Sequence, residues 1–177
     1  MKVTIVYDNE VKNKKLRGGW GFSSLIETAN TPPILFDTGA DSPTLLANMR
    51  ELGIDANRIG IIVISHAHGD HTGGLQGILE VNKKAELYFP ASLQGTIHGR
   101  KIVTVTSPLQ ISEQVFSTGE LKGIEQSLAI KTEKGILLML GCSHPGVGEI
   151  IDAKSFIDID LKKIGNWYPV RKFAINS

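Results

Sequence analysis

Residues 3–7 alternate apolar and polar side chains and predict a strand. The lysine-rich stretch 8–19 ends in glycine and reads as a surface loop. Two more strands are expected at 20–28 and 34–36, separated by the turn Asn30-Thr31-Pro32-Pro33. The period then changes. Leu45, Leu46, Met49 and Leu52 recur at helical spacing behind Asp41-Ser42-Pro43, a cap followed by a helix-compatible proline, and Gly53 stops the helix. The β-branched run 61–64 predicts a strand buried on both faces, and a second helix is expected over 75–81. Further short strands are expected at 86–89, 101–105, 115–117, 127–132 and 136–140, the last two joined by a hairpin turn at 132–135. With a late helix after them, the order predicts a layered α/β domain.

Composition narrows the choice of function. The chain has 177 residues, enough for one ordinary domain, and 41% hydrophobic residues, enough for a packed core. Lys plus Arg (19) nearly balances Asp plus Glu (18), so the charge footprint of a nucleic-acid or membrane-surface binder is missing. The longest apolar runs are far too short to span a bilayer, and the first residues contain no basic-then-apolar leader. A single cysteine, Cys142, excludes an internal disulfide framework and a four-cysteine zinc module. A cytoplasmic protein with a small-molecule substrate is the expectation.

The segment Ser65-His66-Ala67-His68-Gly69-Asp70-His71-Thr72-Gly73-Gly74 holds three of the five histidines and directly follows the buried 61–64 strand. In extended backbone, residues two apart point the same way, so His66 and His68 converge on one point. Gly69 lets the chain turn and bring Asp70 and His71 towards a second point. Imidazole with carboxylate suits zinc, and also iron or manganese. The end of a central strand is where α/β folds place their sites. A polar loop with scattered histidines gives no packing reason for such a cluster.

The string HAHGDH resembles the His-x-His-x-Asp-His motif of the metallo-β-lactamase fold. Upstream, LFDTGA (35–40) is similar to that fold's preceding strand and turn. LLMLGCSHPGV (137–147), with VYDNE, WGFSSLIET, STGEL and EQSLAIKTEKG, resembles one branch, the dihydropterin-ribofuranosyl-aminobenzene-phosphate synthase-like proteins. The resemblance implies a single four-layer αβ/βα sandwich over 1–177, shortened at its C-terminal part, with one or two metal ions at the sheet edge. His66 and His68 would hold the first ion with His144, and Asp70 with His71 the second. Asp37 would orient a ligand histidine from behind. Cys142 is either a zinc ligand or an inert thiol. His98 matches no motif and reads as surface.

The branch pattern departs near residues 163–177, where Phe173 aligns with an expected phenylalanine and Ala174 falls where a histidine should follow. That leaves the second metal position without an obvious third ligand, since Glu149, Asp152, Asp158 and Asp160 sit in no ligand motif. A missing half-layer would expose apolar sheet surface, which a homodimer would cover. The leading function is hydrolysis of an ester, amide or phosphoester by a metal-bound hydroxide, with Asp70 orienting the water. The alternatives are a degenerate binding or structural protein, or the pterin-related synthase of the branch name. No phosphate-cradling glycine motif supports the synthase. Gly18, Gly19 and Gly21 precede a strand rather than a helix.

Overall fold

A computed structural model describes residues 1–153 and the backbone of Tyr168–Pro169. The first sheet runs, in spatial order, β1 (Lys2–Tyr7), β2 (Ser23–Glu27), β3 (Ile34–Phe36), β4 (Ile61–Val63), β5 (Glu86–Pro90) and β6 (Ile102–Val105). β1 to β3 are antiparallel and β3 to β6 parallel. The second sheet contains β7 (Leu109–Gln110), β8 (Val115–Ser117), β9 (Leu128–Thr132) and β10 (Gly135–Met139), with β11 (Tyr168–Pro169) parallel to β10 at its edge. Helices α1 (Ser42–Glu51), α2 (Gly69–Thr72), α3 (Leu75–Val81) and α4 (Val147–Ala153) complete the described elements with a 3₁₀ turn at Ala56–Arg58.

Strand alternation sorts the apolar residues into layers. Ile34, Phe36, Ile61 and Val63 of the first sheet meet Leu128, Ile130, Leu137 and Met139 of the second in a central core. Their neighbours point the other way. Leu35, Ile62 and Leu87 pack with Leu45 and Met49 of α1 and Ile78 of α3. Ala129, Ile136 and Leu138 pack with Ile150 of α4. The result is helix, sheet, sheet, helix, the four-layer sandwich expected. The dimer expectation and the comparison at Phe173 and Ala174 lie outside the described residues, as do Asp158 and Asp160. No helix among the described residues is long and apolar enough to cross a membrane.

The first helix forms as its sequence predicts. Asp41 Oδ1 accepts from Thr44 N at 2.7 Å, while its Oδ2 accepts from the Tyr7 hydroxyl at 2.8 Å, tying the cap to β1. Burial, with the Asp41 carboxylate beside it, pushes the Tyr7 hydroxyl up to about 12. Two expectations need correction. The strand expected at 20–28 starts only at Ser23, because Phe22 N is diverted to donate to Asp70 O at 3.1 Å. Residues 69–72, where Gly69 was expected only to turn the chain, form one helical turn, with Thr72 N donating to His68 O at 3.1 Å. β7 was missed, since two residues carry no readable period.

The glycine pair after this turn lets it lie directly on the Asp37–Ala40 bend. A Cβ on Gly73 would stand 1.9 Å from Ala40 O, and one on Gly74 2.1 Å from Thr38 O. Both obstacles are backbone and cannot yield by rotamer change. Gly73→Ala should therefore destabilise the chain by ~1–3 kcal/mol in urea denaturation. Gly148→Ala, in α4 with nothing within 4 Å of the added carbon, should be neutral or slightly stabilising.

Candidate metal centre

Two neighbouring parallel strands end side by side and build the site. β3 runs into Asp37 and β4 into Ser65-His66, with Phe36 paired to Val63. Asp37 adopts a left-handed φ of +59° and is fully buried. Its Oδ1 accepts from Ser65 N at 2.7 Å. Its Oδ2 accepts from Ser65 Oγ and from His71 Nδ1, each at 2.7 Å. Because the Ser65 hydroxyl proton goes to Asp37, Ser65 Oγ accepts from His66 Nδ1 at 2.8 Å. One buried carboxylate thus fixes the Nδ1–H form of His71 directly and of His66 through a hydroxyl. The Nε2 atoms of both rings are left on the other side. Thr38 completes the brace, its N and Oγ1 both donating to His71 O at 2.8 Å.

On that other side the donors converge. His66 Nε2 stands 3.1 Å from His68 Nδ1. The His144 ring lies with its centroid 4.8 Å from that of His66 and 4.7 Å from that of His68. His71 Nε2 is 3.1 Å from Cys142 Sγ and 3.4 Å from Asp70 Oδ2. Two donor groups result, His66–His68–His144 and His66–His71–Cys142, each with one donor atom per residue and all within 4.8 Å of one another. His66 belongs to both. Nitrogen and sulfur donors at this spacing match the chemistry of a zinc-type cation.

All seven candidate residues are thus in one place. Asp37 sits behind the histidines, and Asp70 touches the cluster through His71. Cys142, left open by the sequence, stands where the second group lacked a third donor. His98 is exposed and away from the cluster, and Glu149 pairs with Lys122 at 3.2 Å. Sequence reasoning missed Ser65 and Glu125. The serine precedes HAHGDH and carried no signal, because hydroxyls are common in such turns. Glu125 is a lone acid before an apolar strand, yet it is fully buried and accepts from three backbone N–H groups of the His144 turn. Burial pushes its carboxyl above the ordinary value while the His144 and Ser143 N–H groups pull it back.

A groove of about 160 Å³ opens onto the donors, lined by His66, Ala67, His68, Ser92, Gly123 and Ile124. A larger open cleft of about 570 Å³ runs along α3 past Leu75, Leu79 and Arg100, and carries none of the converging donors.

Taken together, two apposed sheets with outer helices and a histidine cluster at their common edge define a metal-site α/β sandwich. The metallo-beta-lactamase superfamily model matches residues 17–115, and the chain belongs to that superfamily. It is similar to 7,8-dihydropterin-6-methyl-4-(beta-D-ribofuranosyl)-aminobenzene-5'-phosphate synthase of Methanocaldococcus jannaschii, with 29% identity over 203 residues, covering 84% of this chain and 69% of that protein. Among solved structures it is similar to a quorum-quenching N-acyl homoserine lactone hydrolase, with TM-score 0.54, 18% identity and coverage of 85% of this chain and 80% of that one. It is also similar to the metallo-beta-lactamase MIM-1 from Novosphingobium pentaromativorans, with TM-score 0.52, 18% identity and coverage of 77% and 65%. At these identities the solved structures speak for the fold.

With no cation at its Nε2, the His71 ring holds a proton more tightly than an ordinary imidazole. Burial opposes the charge, but the hydrogen bond and charge of Asp37, seconded by Cys142, push the imidazole up to about 10. A raised value means stabilisation that is complete below the ordinary 6.5 and lost as pH rises through about 10. A cation at His71 Nε2 must displace that proton. Calorimetric zinc titration at pH 7 in buffers of differing ionisation enthalpy should show at least one proton released per ion bound at the His71–Cys142 group. Asp37→Asn should reduce that release.

Proposed function

We propose that the chain is a metal-dependent hydrolase acting on an ester, amide or phosphoester of a small molecule. The observation that carries this is the pair of converging donor groups sharing His66, whose Nδ1–H is held by Ser65 and so turns Nε2 towards the ligand side. His66, His68 and His144 would hold one zinc-type ion. His71 and Cys142, with Asp70 adjacent, would hold a second or complete a shared position. Bound there, such a cation supplies a nucleophile from water near neutral pH and polarises the group under attack.

The chain's own residues do the rest. Asp37 and Ser65 keep the imidazoles in the ligating tautomer and orientation. The Asp70 carboxylate, 3.4 Å from His71 Nε2, accepts a proton from the attacking water and orients it. Ala67, Ser92 and Ile124 form a small wall against which a compact substrate is held. Superfamily membership supports the reaction class at its coarsest.

A second reading, condensation chemistry on a pterin and a phosphorylated aminobenzene, draws on the likeness to the archaeal synthase. The two separate by assay. Hydrolysis consumes activated esters and phosphodiesters alone, whereas the synthase reading requires two substrates and releases no hydrolysis product.

Elemental analysis of chain purified without chelator or affinity nickel should find one or two zinc, iron or manganese ions. His68→Ala should lower metal content and lower kcat/KM on a p-nitrophenyl ester or phosphodiester by more than ~100-fold, beyond what losing a supporting hydrogen bond costs. Metal retained with unchanged turnover rejects the assignment. No metal, even after adding it back, favours a binding role for the fold.

A further inference from the structure

The donors come from two sheets, and their relative position must be set by something other than the donors themselves. Two adjacent residues at the entry to β9 do this. Gln126 holds the first-sheet side: its N donates to Ser65 O at 2.9 Å, and its Nε2 donates to Ile64 O at 2.8 Å and Tyr88 O at 3.3 Å. Ser117 Oγ donates to Gln126 Oε1 at 2.7 Å and fixes which way the amide faces. Glu125 holds the second-sheet side. Its Oε1 accepts from Gly141 N at 3.0 Å and Ser143 N at 3.1 Å, and its Oε2 accepts from His144 N at 3.0 Å.

The turn needs such an anchor. Ser143 has a left-handed φ of +63°, which costs a residue with a Cβ ~1 kcal/mol or more unless its surroundings hold it. Three N–H groups pointing at one buried spot require an acceptor with two oxygens, and only a carboxylate supplies that without bringing a donor of its own. A glutamine of the same shape would turn an NH₂ group against one of those N–H groups. The same turn carries His144, whose ring must stand within 5 Å of His66 and His68 for the three to share an ion.

We propose that Glu125 is a positioning residue for the metal centre, clamping the Gly141–His144 turn so that the His144 ring is already aimed at His66 and His68 before any ion arrives. This rests on His144 being a ligand. With Gln126 beside it, Glu125 makes a two-residue brace that joins the second-sheet donor to the first-sheet donors.

The test is a cycle of the full chain, Glu125→Gln, His144→Ala and both together, stripped with chelator and titrated with zinc against a chromophoric competitor. Glu125→Gln should retain its thermal midpoint within a few degrees yet bind zinc 10–100-fold more weakly, the usual scale for a group supporting a ligand. His144→Ala should be weakened at least as much, and the double variant no further than His144→Ala alone. Weakening by His144→Ala with wild-type affinity in Glu125→Gln overturns the clamp and leaves the ligand. Wild-type affinity in His144→Ala removes both. Should Glu125→Gln fail to fold, amide hydrogen exchange on the metal-stripped wild type decides. The Gly141, Ser143 and His144 amides should be protected, and free exchange at these positions would overturn the proposal.

Discussion

A single buried carboxylate organises the centre. Asp37 is removed from water entirely, a position that costs a charged group several kcal/mol unless donors compensate. Here Ser65 N, Ser65 Oγ and His71 Nδ1 surround it at 2.7 Å. The compensation is reciprocal. The donors that make the burial tolerable are the groups whose orientation decides which ring nitrogens face the metal side. Parallel pairing of β3 and β4 makes this possible, because it ends two strands at the same edge with Phe36 opposite Val63. The glycines that follow then bring the helical turn of His71 down onto the Asp37 bend.

Much of this was legible in the sequence, and the limits are physical. Period-two alternation marked the strands, and the buried run 61–64 marked the central one, because burial on both faces leaves no polar positions. The cap Asp41-Ser42-Pro43 and the stop at Gly53 marked α1 because capping chemistry is local. HAHGDH was readable as a set of candidate donors, since clustered imidazoles have no packing role, whereas His144 was readable only through the family resemblance of its turn. The helical turn at 69–72 was not readable. Its glycine suggested only a turn of the chain, and what makes it helical is contact with the Thr38 and Ala40 backbone from another part of the chain. Ser65 and Glu125 escaped for the same reason. Their roles exist only where partners 28 and 16 to 19 positions away arrive.

Cys142 illustrates a choice the sequence posed and geometry narrowed. A lone thiol has no spacing to argue from, and a free cysteine is more often a buried, inert residue than a ligand. In the folded chain it is exposed rather than packed, and its sulfur lies 3.1 Å from the ring nitrogen that Asp37 turns towards it. The sharing of His66 between both donor groups was likewise invisible. Extended backbone predicted that His66 and His68 would converge, but not that one ring would sit between two sets of partners, each completed by a group from the other sheet.

The separation of the donors along the chain bears on how the molecule comes into being. His71 and Cys142 are neighbours in space yet 71 positions apart in sequence, with most of the second sheet threaded between them. Closing a loop of that length is entropically unfavourable, and non-local pairings of this kind form late and slowly. A nascent chain that has made β4 and the following turn already carries His66, His68 and His71, but not the groups that complete either donor set. If these groups are the ligands proposed, tight capture of a cation would report that the two sheets have docked, and an ion present during synthesis would act as a latch on the final closure rather than as a nucleus for the first.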